Sequence, residues 1–209
     1  MQAILVHGMG RTPLSQLILA KRLRDQGFEV HLFGYSSRRP FDSCVTRLVS
    51  RVRAVVEDQP FILVGHSLGT VLIRAALPRL TPLEPVGCFF LAPPSRVPRA
   101  AKFFAGNPIY RLYSHEMGQL LASDEFMNSL PMPTVPVRVY AGTGGPTGRR
   151  SPFGSEENDG ILAVSETPLE PGGPVVRVPV IHTVIMNSQI VADDIAAMAN
   201  KLGGARRHP

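Results

Sequence analysis

The stretch FILVGHSLGT, residues 61–70, constrains its own geometry more tightly than any other part of the chain. Four apolar residues, Phe61 to Val64, read as a buried strand. They lead without a spacer into Gly65-His66-Ser67-Leu68-Gly69, and LGTVLIRAAL then reads as a helix. At ordinary residue usage, a serine between two such glycines turns up by chance in about one chain in ten, so spacing alone decides little. Context decides more. A strand that turns directly into a helix must turn so sharply that side chains at positions 65 and 69 would clash. Such a turn lifts the Ser67 hydroxyl above the carboxyl edge of a sheet and points a helix N-terminus at it.

The rest of the chain supplies the sheet. QAILV, EVHLFGY, FILV, VGCFFLA, VPVRVYAG and PVVRVPV read as six strands, with Pro136 near the start of the fifth. Pro179 lies inside the sixth run, which suits an edge strand. Between strands come helical patterns. Thr12 offers an N-cap and Pro13 a first helical residue; Leu14, Leu17 and Ile18 carry the helix on to Gly27. From Phe41, apolar residues recur at Val45, Leu48, Val49, Val52 and Val56. A last helix spans about Ser188 to Leu202, with Val191, Ile195, Met198 and Leu202 facing inward. This alternation predicts an α/β fold, a parallel sheet with helices on both faces, in one domain over 1–203 with a flexible tail at 204–209. Two segments break the rhythm: a mixed insertion at about 94–134 and a Gly/Pro/Ser-rich loop at 142–160.

Composition narrows the function classes. With 44% hydrophobic and 18% charged residues among 209, the chain reads as globular. No apolar run is long enough to span a bilayer, and a strand beginning at Gln2 leaves no room for a signal peptide, so the expected location is the cytoplasm. The net charge of +6 is spread over arginines such as Arg47, Arg51 and Arg53 and over the tail, without interleaved aromatics, which argues against nucleic acid as a partner. Cys44 and Cys88 make neither a disulfide framework nor a zinc set, and Cys88 reads as a packed small hydrophobe. Asp193 and Asp194 on the final helix read as solvent-facing acids, and no metal or cofactor is expected.

A serine hydroxyl needs a base, and the base needs an acid. Of six histidines, His7, His31 and His66 precede the serine, His115 lies in the insertion and His208 in the tail; His182 follows the last strand. In the chain order serine, acid, histidine, His182 is the base. The acid should lie between the fifth and sixth strands, where Glu156, Glu157, Asp159, Glu166 and Glu170 compete. Asp159 is favoured because Gly160 permits a sharp turn and an apolar run follows to anchor it. The Leu68 amide and the Met9 amide, in VHGMG after the first strand, are candidates to bind an oxyanion. His7 and Gly8 would shape that loop, His7 as a buried histidine bonded to backbone.

HGMG, GHSLG, NDGILAVSET and HTVIMNS together resemble the α/β-hydrolase superfamily, most closely its small bacterial lipase- and esterase-like members. The resemblance covers nearly the whole chain apart from the insertion and tail. It implies a three-layer α/β/α sandwich with strand order 2-1-3-4-5-6. It implies Ser67 as nucleophile, Asp159 as acid, His182 as base, and Met9 and Leu68 as oxyanion hole, supported by Gly65 and Gly69. The resemblance further implies a start at the family's third strand, and hence the expectation of a minimal version whose first sheet edge would be exposed or covered by a partner. The expected activity is hydrolysis of carboxylic esters, with apolar residues of the insertion (AAKFFAG, IYRLY, GQLLAS) either roofing an acyl pocket or packing on the sheet. An acyltransferase or thioesterase would use the same residues, and a non-catalytic scaffold would need them disarmed. A dinucleotide module is disfavoured: GMGRTP puts Pro13 where a third glycine belongs, and no acid ends the second strand. The 142–160 loop lacks the G-K-[ST] of a phosphate loop.

Overall fold

The computed structural model describes residues 1–57, 59–99, 116–149 and 151–205. His115, His208 and the AKFFAGNPIYRLY part of the insertion lie outside the described residues. In chain order the elements are β1 (Gln2–Val6), α1 (Leu17–Asp25), β2 (Glu29–Phe33), α2 (Phe41–Val56), β3 (Phe61–His66), α3 (Leu68–Leu80) and β4 (Gly87–Leu91). There follow α4 (Asp124–Ser129), β5 (Val137–Gly142), β6 (Val176–Val178) and α5 (Gln189–Ala205). All pairings are parallel, and the sheet order is β2-β1-β3-β4-β5-β6.

Both faces of the sheet are covered, which is why the strands are apolar runs rather than alternating ones. Ile4, Val6 and Leu63 point into a core shared with Val45, Leu48, Val71 and Leu72 of α2 and α3. Ala3, Leu5, Ile62 and Val64 point the other way, against Leu19 and Leu23 of α1 and Ile195 of α5. Truncating one such fully buried leucine to alanine costs about 2–5 kcal/mol.

Three local expectations need correction. The sixth strand has only three residues and ends before Pro179. Proline has no N–H to continue the ladder, and the chain instead makes a tight turn in which the Val180 amide reaches the Val178 carbonyl at 2.7 Å. Asp194 does not face solvent. It receives Nε and Nη2 of Arg138 at 2.8 and 2.9 Å and the Tyr140 hydroxyl at 2.7 Å, clamping α5 to β5. Burial alone would raise its pKa, but the bonds from Arg138 and Tyr140 outweigh that and hold it below the usual carboxylate range. On α1, Leu19, Ala20 and Leu23 are buried, while Leu14, Leu17 and Ile18 stand exposed. Finally, α5 runs on to Ala205, past the expected start of the tail.

The described part of the insertion contributes to the core shared with α2 and α3. Met117, Leu121, Met127 and Leu130 are buried in the core, and Phe126 of α4 meets Phe41 of α2 edge to face at 5.1 Å.

Candidate active site

Ser67 stands between β3 and α3 with φ +50° and ψ −122°. This is a region that L side chains rarely adopt, and holding it costs about 1–3 kcal/mol. The turn is fixed on both sides. The Ser67 amide donates to the Leu91 carbonyl at 2.9 Å, and both the amide and the hydroxyl of Thr70 reach back to the Ser67 carbonyl, at 2.9 and 2.7 Å. The glycines are required by space. A Cβ on Gly69 would lie 2.3 Å from the Val6 carbonyl oxygen, and one on Gly65 would lie 2.9 Å from the Thr70 amide nitrogen. Leu68 opens α3, so its amide has no carbonyl one turn back to bind.

The loop after β1 presses against this turn. A Cβ on Gly8 would lie 2.8 Å from Nδ1 of His66 and 3.2 Å from Cβ of Ser67. Met9 and Gly10 form the corner of a turn closed by the Arg11 amide on the Gly8 carbonyl at 3.3 Å, with Gly10 at φ +67°. His7 anchors the loop. Its Nδ1 donates to the Gly8 carbonyl at 2.9 Å, which leaves Nε2 to accept from the Tyr35 amide at 3.3 Å. The rings of His7 and Tyr35 stack at 4.3 Å, and the Tyr35 hydroxyl donates to the His7 carbonyl. Burial pushes the His7 pKa down.

His182 and Asp159 meet, twice over. Nδ1 of His182 lies 2.7 Å from Oδ2 of Asp159, and the His182 amide donates to the Asp159 carbonyl at 2.9 Å. The other carboxylate oxygen, Oδ1, accepts the amides of Ile161 and Leu162 at 2.9 and 2.7 Å. Thus the carboxylate is held by its own turn, and the imidazole carries its proton on Nδ1 with Nε2 left free. The end of β5 runs directly beneath: a Cβ on Gly142 would lie 2.7 Å from Cβ of Asp159, and one on Gly145 would overlap Asn158. Asn158, fully buried, bonds the Pro146 and Glu156 carbonyls and the Gly160 amide.

The histidine pair joins the two halves. Nε2 of His66, the residue before Ser67, lies 3.0 Å from the His182 carbonyl oxygen, and the two rings are 4.9 Å apart. The other candidate acids do different work. Glu166 is buried and receives the amides of Arg99 and Ala163 at 2.7 and 2.8 Å, tying the stem of the insertion to the Asp159 loop. Glu156 pairs with Arg99, and Glu157 with Arg177. Glu170 lines a separate cleft with Val135, Val139 and Leu169.

A model of the alpha/beta hydrolase family matches residues 3–204. The chain belongs to that family. Among solved structures, the chain is similar to the lipase BlEst2 of Bacillus licheniformis, with TM-score 0.77 and 15% identity over 95% of this chain and 91% of that one. It is also similar to the metagenomic carboxyl esterase MGS0156, with TM-score 0.68 and 17% identity over 98% and 76%. Methylketone Synthase I of tomato aligns with TM-score 0.62 and 17% identity over 96% and 98%. At these identities the likeness concerns the fold. No curated protein sequence matches the chain.

Sequence reasoning set His66 aside because it precedes the serine. The signal that could have found it was its place inside GHSLG, where a turned-in side chain must sit under the elbow. The role of Asn158 was likewise missed; its signal was the run GTGG at 142–145, glycines that mark a backbone pressed against another. Among the described residues, no group of three metal-ligating side chains converges, and no helix is long and apolar enough to cross a membrane.

Proposed function

We propose that the protein is a serine hydrolase that cleaves carboxylic esters, with a preference for lipophilic acyl groups. The observation that carries this reading is the Asp159–His182 pair at 2.7 Å, bonded through His66 to the turn that holds Ser67. In the proposed reaction the Ser67 hydroxyl attacks the ester carbonyl and passes its proton to Nε2 of His182. Asp159 keeps the imidazole in the required tautomer and stabilises its cationic form. The amides of Leu68 and Met9 bind the oxyanion of the tetrahedral intermediate. Collapse expels the alcohol, which takes the proton from His182, and leaves an acyl group on Ser67. Water, deprotonated by His182, then releases the acid and restores the serine. No metal or cofactor enters these steps.

The test is a panel of p-nitrophenyl esters of increasing chain length, run with the wild type and Ser67→Ala. The reading requires loss of turnover by several orders of magnitude in the variant, and covalent labelling of Ser67 by a fluorophosphonate in the wild type alone. Full activity of Ser67→Ala would refute it. Adding a short alcohol to the assay separates hydrolysis from acyl transfer by the product formed.

A further inference from the structure

Six of the eight large apolar residues left exposed among the described residues gather on touching elements. Leu14, Leu17 and Ile18 belong to the 3₁₀ turn Pro13–Gln16 and to α1. Ile181 and Val184 flank and occupy the 3₁₀ turn His182–Asn187, and Ile190 starts α5. The first three recur at i, i+3 and i+4, so they form one stripe on one face. Leu14 is 70% exposed, an unusual state for a leucine on a helix whose other face is already well buried. The two groups are joined by side chains of α1 and the loop before it. Arg11 donates to the Thr183 carbonyl at 3.2 Å, and Arg22 bonds the Asn187 carbonyl. The stripe therefore borders the turn that carries His182.

Charge says what meets this face. Residues 8–25 hold four cations, Arg11, Lys21, Arg22 and Arg24, against one acid, Asp25; residues 181–193 hold one acid, Asp193, which accepts from Gln26 and Gln189. The nearest acid in the helix, Asp25, is already paired with Lys21 at 2.6 Å. That leaves Arg11, Arg22 and Arg24 in no ion pair among the described residues, and an apolar stripe edged by such an excess of cations fits a surface with an apolar interior and anionic headgroups. A second copy of the chain would bring the same cations against each other. A lipid surface would instead hold its esters beside the turn that carries His182.

We propose that this face docks the protein on anionic lipid surfaces, with Leu14, Leu17 and Ile18 entering the apolar layer. The proposal rests on the lipophilic-ester reading for its purpose, but its test does not depend on turnover. Ser67→Ala protein is floated with vesicles of phosphatidylcholine, with and without a share of phosphatidylglycerol, beside a Ser67→Ala protein that also carries Leu14→Gln, Leu17→Gln and Ile18→Gln. Expected is binding to the phosphatidylglycerol vesicles, weakened by added salt and weaker by about tenfold or more in the glutamine variant. The three glutamines placed in the wild-type background should leave turnover of a dissolved short-chain ester unchanged. Three outcomes would overturn the proposal: no flotation with phosphatidylglycerol, equal flotation with phosphatidylcholine alone, or equal flotation of the glutamine variant. A wild-type dimer that the same glutamines dissolve would instead assign the face to a second copy. Binding without ester hydrolysis would sink only the enzymatic reading, and hydrolysis without binding would sink only this one.

Discussion

The ring of His66 holds the backbone of His182: Nε2 donates to the His182 carbonyl oxygen at 3.0 Å, across 116 positions of sequence. Its other nitrogen, Nδ1, is buried without a protein partner and faces Gly8 of the loop after β1. One imidazole, on the residue next to Ser67, thus spaces the turn that carries His182 from the loop that carries Met9.

That relationship separates two conservative replacements. A glutamine amide reaches the place of Nε2 and can still donate to the His182 carbonyl; an asparagine amide stops near the place of Nδ1 and cannot. His66→Gln should keep kcat within about tenfold of wild type, whereas His66→Asn should lower it by about 10²-fold, because small misplacement of a reacting group is that expensive. KM on a dissolved ester should change little in either. A loss shared equally by the two variants, or confined to KM, would remove the positioning role.

The parts of this arrangement that sequence made legible are those set by local rules. Tight-turn glycines and strand–helix alternation led to the sheet and to the Ser67 turn, because both follow from sterics within a few residues. Long-range choices were not legible in the same way. In PLSQLILAKRL, Leu14, Leu17 and Ile18 form one apolar stripe while Leu19, Ala20 and Leu23 form another. Periodicity finds both stripes, and only the sheet decides which is buried. Asp194 and Asp193 are adjacent, yet one turns to Arg138 and Tyr140 while the other bonds Gln26 and Gln189 at the surface. Likewise Asp159 and Glu166 both sit in turns of one loop. What distinguishes them is that β6 brings His182 to the first and the stem of the insertion to the second.

The contrast between those two acids is itself a prediction. Asp159→Asn preserves the size of the side chain and its acceptor for the Ile161 and Leu162 amides, but removes the charge beside His182. Turnover should fall by about 10³–10⁴-fold with the fold intact. Glu166→Gln should leave turnover within about tenfold of wild type. It weakens the carboxylate's hold on Arg99 and Ala163, a stability cost of about 1–3 kcal/mol. Ester assays and urea denaturation on both variants check this, and the reverse pattern would move the acid's role to Glu166.

Strain at Ser67 predicts a stability difference between two variants at that position. At φ +50° and ψ −122°, alanine inherits the serine's penalty, while glycine is relieved of it. Glycine also gains freedom in the unfolded chain, worth about 0.5–1 kcal/mol against it. The balance makes Ser67→Gly more stable than Ser67→Ala by about 1 kcal/mol, readable as a higher denaturation midpoint at unchanged slope. Gly69→Ala should do the opposite and be strongly destabilising, since its Cβ would meet the Val6 carbonyl at 2.3 Å, backbone against which the helix cannot yield.

Two buried imidazoles give folding a pH dependence. Burial lowers the pKa of His66 well below its ordinary value, reinforced by neighbouring His182, and lowers that of His7 as well. In the unfolded chain both titrate near about 6.5. Between the folded and unfolded values the unfolded state binds more protons, so stability rises with pH there. The contribution is complete above about pH 6.5 and is lost as pH falls below it, by up to about 1.4 kcal/mol per pH unit for each group in that window. Carboxylates held low in the fold, such as Asp194, add their loss only below about pH 4. Urea denaturation at a series of pH values should therefore show a decline beginning near neutrality, and His66→Gln should reduce its slope by the share of one group. An unchanged slope in that variant would mean that His66 is protonated in the folded protein. A protonated Nδ1 would then have to find an acceptor in the very place where none stands among the described side chains, between Gly8 and Ser67.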